Sequence, residues 1–275
     1  MTDGPEPIRE DAHDDRISRG KFLKGAMGAA GGLGLAPLIA ACGGSGGSSS
    51  SASSTSTGAG TPRKGGQLRV AYVGGGTAET MNPYAAVTPI DEGRVQSLFD
   101  PLILVNADLT RSPGLALEFN ANKAATLYEV KLRPDVTFHN GKPFGAEDVM
   151  YSIRLAAKPT SIGLPFVSNI NLAEMKAINN LTLRIPLKSP DADLGGNFVY
   201  YNTWIVQNGE KDFAHPVGTG PFKYESFTPG QQSVFTRNPH YWGSGGPYVD
   251  SLKIVSISDP TARLNALLSG QVDAI

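Results

Sequence analysis

Cysteine is almost absent: the chain of 275 residues has one, Cys42. A lone thiol excludes any intramolecular disulfide and any cysteine-built zinc site. Histidine is scarce as well. Its four copies, His13, His139, His215 and His240, are scattered, with no HExxH and no i,i+4 pair, so metal catalysis has no foothold in the pattern. An excess of charge of either sign is also missing, with Lys plus Arg at 24, Asp plus Glu at 25 and a net charge of -1. A nucleic-acid partner would want a clustered basic face, which this balance does not offer. Nor does the apolar run from Gly25 to Ala41 suit a membrane span, because it is short, glycine-rich and interrupted by Pro37.

What is present is a hydrophobic share of 40%, enough for one or two domains with a sizeable core. Residues 1–64 stand outside that core. Arg16, Arg19, Lys21 and Lys24 precede the small-residue apolar run, the order of an export signal over 1–41. The run ends in Leu38-Ile39-Ala40-Ala41-Cys42-Gly43, which looks like a lipobox, where cleavage leaves Cys42 as the lipidated first residue. The alternative is an ordinary signal peptide with an incidental cysteine. Several acyl chains on one residue would anchor firmly, since a single chain does so only marginally. Ser18-Arg19-Gly20-Lys21-Phe22-Leu23-Lys24 resembles a twin-arginine signal whose second arginine is Gly20, which leaves the route of export open. Residues 42–64 form the anchor and a Gly/Ser/Thr-rich tether that cannot bury a core. About 20 such residues hold a body about 25 Å from the anchor. Gly43-Gly44-Ser45-Gly46-Gly47 matches a nucleophile elbow in letters only, because neither a strand before it nor a helix after it can form here.

From Gly65 the chain reads as mixed α/β. Gln67 to Val73 alternates as a strand. Gly74-Gly75-Gly76 is not a dinucleotide fingerprint, since Glu79 occupies the third glycine position and Asn82-Pro83 blocks an immediate helix. Val95 to Val105 reads as a short helix running into a strand. Ala125 to Leu132, then Val136 to Phe138 before the Asn140-Gly141 turn, suggests a hairpin. Gly145 caps a helix whose Val149, Ile153 and Ala156 recur at helical spacing, with Asp148 as its capping acid. Thr182 to Leu187 alternates again. At the end, strand Ser251 to Ser258, helix Pro260 to Ser269 behind an Asp259-Pro260 cap, and strand Gln271 to Ile275 form a βαβ unit. A chain ending as a strand begins reads as a truncated product.

Taken in order, several segments resemble the extracellular solute-binding proteins of family 5, the peptide and nickel binders of ABC importers. These are Gly65-Gly66-Gln67-Leu68, Met81-Asn82-Pro83, Phe99-Asp100-Pro101-Leu102 and Pro113-Gly114-Leu115-Ala116. Next comes the signature stretch from Tyr128 to Phe144 with Ala146-Glu147-Asp148-Val149. Gly218-Thr219-Gly220-Pro221-Phe222, Arg237-Asn238-Pro239-His240-Tyr241-Trp242 and Arg263 with Ala266 to Asp273 complete the set. The resemblance implies a periplasmic-binding-protein-like, two-lobe α/β fold of type II with an inserted β-rich subdomain. Lobe I would comprise 65–102 and 191–275 around an insert at 103–190, with the second lobe absent.

In such proteins solute binds between lobes that close on it. The loaded form goes to a permease powered by a separate ATPase, outside the cytoplasmic membrane. The resemblance therefore implies solute capture with no cofactor, metal, catalysis or nucleic acid, and weak binding by this half alone. Aromatic ligand contacts on this half are expected from Tyr84, Tyr151, Tyr200, Tyr201 and Trp204, each of which could equally be a core aromatic. The acid for a peptide amino terminus is expected from the other lobe. His139 is expected to be solvated or capping. Two alternatives remain: a sensing or chaperone lipoprotein of the same fold, and an exported hydrolase, for which no nucleophile–base motif is seen. Peptides lead as the solute, ahead of nickel complexes, glycans or haem.

Overall fold

A computed structural model describes residues 63–275. The export signal, Cys42 and all but the last residues of the tether lie outside the described residues. The elements run β1 (Gln67–Tyr72), α1 (Pro89–Leu98), β2 (Ile103–Val105), β3 (Arg111–Pro113), β4 (Ala116–Ala121), β5 (Leu127–Leu132), α2 (Ala146–Ala156), α3 (Leu164–Val167), β6 (Lys176–Asn179) and β7 (Thr182–Pro186). They continue with α4 (Leu194–Asn197), β8 (Phe222–Thr228), β9 (Gln232–Arg237), β10 (Ser251–Ser256) and α5 (Pro260–Leu268).

Two four-stranded sheets result. The first has the order β1-β10-β9-β8, with β1 parallel to β10 and the other pairs antiparallel. The second, β4-β5-β7-β6, is antiparallel throughout, and β2 and β3 form a separate hairpin. One apolar cluster runs through both, with Val130 and Ile185 from the second sheet and Phe235 and Ile254 from the first. Each such buried side chain contributes about 1.5–3 kcal/mol of transfer free energy.

Local chemistry explains the main elements. Gly65 and Gly66 both have positive φ, and the Gly66 N–H donates to Asp250, which aims β1 along β10. Helix α2 begins as its sequence requires: the Gly145 N–H donates to the Asp148 carboxylate at 2.8 Å. Its Val149, Ile153 and Ala156 are buried while Arg154 closes the last turn in solvent. Helix α5 uses Asp259 as its cap, accepting from the Ala262 N–H, with Pro260 in the first turn.

Three expectations change. The helix expected from Val95 starts six residues earlier, at Pro89, because Thr88 caps it by accepting from the Asp91 N–H. The stretch 136–144 does not pair with β5, whose neighbours are β4 and β7. It closes instead as a small loop around Gly141 (φ +82°), with one bridge from Thr137 to Pro143. The last strand shrinks to a single parallel bridge, Ala274 to Val70, on the side of β1 away from β10. The βαβ crossover therefore passes over β1 rather than joining adjacent strands.

Candidate functional site

In α/β sheets, ligands gather outside the carboxyl ends of parallel strands. Here β1 and β10 end together, and β1 opens into the loop Val73–Ala78, of which Val73 and Gly75 to Ala78 are exposed. The N-terminus of α1 lies against it: a β-carbon on Gly75 would stand 3.2 Å from Thr88 Cγ2. Val87, just before that cap, is 63% exposed. The edge therefore offers glycine backbone, the Thr77 hydroxyl and two exposed valines.

Behind the loop sits a fully buried ionic cluster. Arg94 donates from Nη2 to Glu79 Oε2 at 2.7 Å, from Nη1 to Asp91 Oδ1 at 3.2 Å and from Nε to Ser233 Oγ at 3.0 Å. Its guanidinium also lies 4.7 Å from the centre of the Phe227 ring. Glu79 Oε1 accepts from the Gly75 N–H and the Ser256 hydroxyl, while Oε2 also accepts from the Gly230 N–H. Asp91 accepts from the Thr80 N–H and the Thr88 hydroxyl. Burial pushes the Glu79 carboxyl upward, but the hydrogen bonds from Ser256, Arg94 and Gly230 and the guanidinium charge more than offset it. The group is held below the usual carboxylate range.

A second buried acid gathers three motifs that looked separate in the sequence. Asp100 accepts from the Thr219 hydroxyl at 2.7 Å, the Trp242 indole N–H at 2.9 Å and the Tyr241 hydroxyl at 3.0 Å. Burial raises its pKa against the pull of these donors. Gly218 and Gly220 permit the approach, since a β-carbon on Gly218 would fall 1.8 Å from the Leu98 carbonyl oxygen.

His139 is half-buried and caps backbone groups. Its Nδ1 accepts from the Gly218 N–H at 3.2 Å and its Nε2–H donates to the Gly220 carbonyl at 3.0 Å, the pattern of a neutral ring. Burial, aided by the nearby Lys223 charge, pushes its pKa down to about 4. The folded value lies below the unfolded value of about 6.5, so stability is full above pH about 6.5 and is lost as pH falls toward 4, by up to about 3 kcal/mol. His139→Gln removes this component. Urea midpoints across that window are expected to fall more steeply for the natural chain than for the variant.

The five expected aromatics differ in burial and in bonding. Tyr84 is buried, with its hydroxyl donating to the Trp204 carbonyl at 3.1 Å and its ring edge-on to Phe213. Tyr151 donates to the Glu210 carbonyl, and the Trp204 indole donates to the Val199 carbonyl. Tyr200, 49% exposed, stacks on Phe166 with centroids 4.4 Å apart. Tyr201 is half-buried, and burial together with the acids Glu92 and Asp91 of α1 raises its hydroxyl pKa. The structure thus joins Tyr84 to Trp204, with Tyr151 near enough to act on the Tyr84 hydroxyl, and sets Tyr200, Tyr201 and Trp204 on one short turn, Tyr201 near α1. No motif in the sequence singles out Arg94, Asp91 or the bonding role of Glu79. One signal was available: Ile90, Arg94 and Leu98 share an i, i+4, i+8 stripe, and a charge in an apolar stripe demands a buried partner. Among the described residues, no group of three or more His, Cys, Asp or Glu side chains could hold a metal ion.

A mixed sheet whose parallel strands deliver a glycine loop to one edge, beside a second antiparallel sheet, is a periplasmic-binding-protein-like α/β fold. The chain belongs to the bacterial extracellular solute-binding proteins, family 5, whose middle-region profile matches residues 110–275. It is 26% identical over 207 residues to the glutathione-binding protein GsiB of Pectobacterium atrosepticum, covering 72% of this chain and 40% of that protein. It is 29% identical over 205 residues to the nickel-binding periplasmic protein of Escherichia coli, covering 71% and 38%. A crystal structure of a nickel ABC transporter protein from Bacillus halodurans superposes with a TM-score of 0.66 at 31% identity, over 75% of this chain and 42% of that one. The chain thus spans about 40% of the length of the curated relatives it matches.

Proposed function

We propose that the chain supplies one wall of the solute cleft in an exported, lipid-anchored binding protein. That protein captures a peptide or similar small solute by lobe closure and delivers it to an ABC-type import permease with a separate ATPase. The observation that carries this reading is the loop Val73–Ala78 at the ends of β1 and β10. It presents glycine backbone, the Thr77 hydroxyl and apolar Val73, with exposed Val87 beside it, groups that hold a solute by hydrogen bonds and contact. That chemistry suits a peptide backbone better than a metal ion. Tyr201, close enough to α1 to feel Asp91 and Glu92, is the expected aromatic we assign to this edge.

Titration calorimetry on the complete gene product tests the solute. Binding of glutathione or a short peptide at about micromolar Kd, with no response to nickel–histidine, is the expected result. Heat from the nickel complex alone would overturn the peptide reading. The anchor has its own test. In membrane extracts the mature protein is expected to begin at an acylated Cys42, and Cys42→Ser is expected to move it to the soluble fraction, because protein without acyl chains loses the anchor. Unchanged membrane retention of the variant would sink the lipid reading.

A further inference from the structure

The ionic cluster behind the loop is larger than an ion pair needs to be, and half of its hydrogen bonds to groups outside it go to loop backbone. Glu79 and Asp91 together accept from three main-chain N–H groups of surface segments: Gly75 at 3.0 Å, Thr80 at 2.8 Å and Gly230 at 3.0 Å. The Ser256 hydroxyl ties the end of β10 to the same carboxylate at 2.8 Å. That bond crosses the space where a side chain on residue 74 would stand, since a β-carbon on Gly74 would lie 1.7 Å from Ser256 Oγ. Gly230 in turn packs against the loop, where its β-carbon would be 3.2 Å from the Gly76 carbonyl carbon. Buried ion clusters stabilise poorly compared with apolar packing of the same volume, and their better-attested use is to fix one arrangement among several. A cluster whose acceptors are spent on loop amides fixes the loop.

We propose that Glu79, backed by Arg94 and Asp91, is a positioning residue that holds the loop from Gly74 to Thr80 as a rigid, preformed half of the solute cleft; this rests on the cleft reading above. Lobe closure then meets a surface already in its bound shape, and ordering this loop costs nothing at the moment of binding. Arg94 acts through Glu79 and Asp91 and touches no solute.

Site-resolved amide hydrogen exchange on the intact chain tests the device. In Arg94→Lys, exchange at Gly75, Thr80 and Gly230 is expected to rise about tenfold more than at Val130 and Ile185, in the distant second sheet. Ser256→Ala, a milder change that leaves the ion pairs intact, is expected to affect Gly75 and leave Thr80 unchanged. If the loop amides merely track Val130 and Ile185 in both variants, the cluster is an ordinary stabilising element and the proposal fails. In the complete protein, Arg94→Lys is expected to weaken binding of glutathione or trialanine about tenfold through the population of ordered loop. If the unsubstituted protein binds neither probe, the cleft reading fails on its own account, while the exchange data still decide whether the cluster holds the loop.

Discussion

Asp100→Ala is expected to lower unfolding free energy by about 4 kcal/mol, one of the two largest losses from a single substitution in this chain. The carboxylate serves donors from three places, Thr219, Tyr241 and Trp242, the last two being 141 and 142 residues away in sequence. Alanine removes every acceptor at once. The Thr219 side chain is fully buried and the two aromatic donors are half-buried, so only part of the loss is recovered from water. Relief of the buried charge offsets some of it, since burial already works against Asp100 ionising. Asn is a partial rescue: its Oδ1 can accept from Thr219 and Trp242 while its N–H₂ faces the Tyr241 hydroxyl, which can turn to accept, so a loss of about 1–2 kcal/mol is expected. Urea denaturation supplies the number, and a double-mutant cycle with Trp242→Phe supplies the pairwise part, expected at about 1–2 kcal/mol. A loss under about 1 kcal/mol for Asp100→Ala would show that the three motifs are held together by packing alone.

That result would also explain why the sequence was readable in one way and opaque in another. Periodicity and caps are local, so α2, α5, β1 and β5 were visible as residues in a row, with Asp148 and Asp259 marking where helices begin. The motifs Phe99-Asp100-Pro101-Leu102, Gly218-Thr219-Gly220 and Tyr241-Trp242 were visible as segments. Their purpose was not, because it lies in contacts more than a hundred residues apart. Glu79 is the sharper case. Read locally it is the residue that spoils a glycine motif; in the fold it is the acceptor that organises the loop. The aromatics were open to two readings for a related reason. An aromatic side chain says that a large surface is to be covered, and only the fold says whether protein or solute covers it. For Tyr84, protein does.

Arg94→Met is expected to cost about 3–5 kcal/mol at neutral pH, and the sign of its pH dependence is the more telling part. In the natural chain the folded-state pKa of Glu79 lies below its unfolded value. Its contribution is therefore present above the unfolded pKa and is lost as pH falls through the folded one. Methionine keeps the apolar stem against Phe227 and removes the guanidinium. Burial, already the largest influence on Glu79, is then opposed by the Ser256 and Gly230 hydrogen bonds without the guanidinium's hydrogen bond and charge, and the folded pKa is expected to rise above the unfolded value. The linkage inverts: the variant keeps what stability Glu79 allows below the unfolded pKa and loses it as pH rises. Plotted as the difference between natural chain and variant, the destabilisation should be small near pH about 4 and grow toward pH 7. Adding Glu79→Gln to Arg94→Met removes the uncompensated charge at that position and should recover about 1–2 kcal/mol at pH 7 and little in acid. A destabilisation that stayed flat with pH would mean that water reaches the cluster and screens it. Glu79 would then be no more than one of several contacts on the loop, and the rigidity of the Gly74–Thr80 loop would have to come from glycine packing against Ser256 and Thr88 instead.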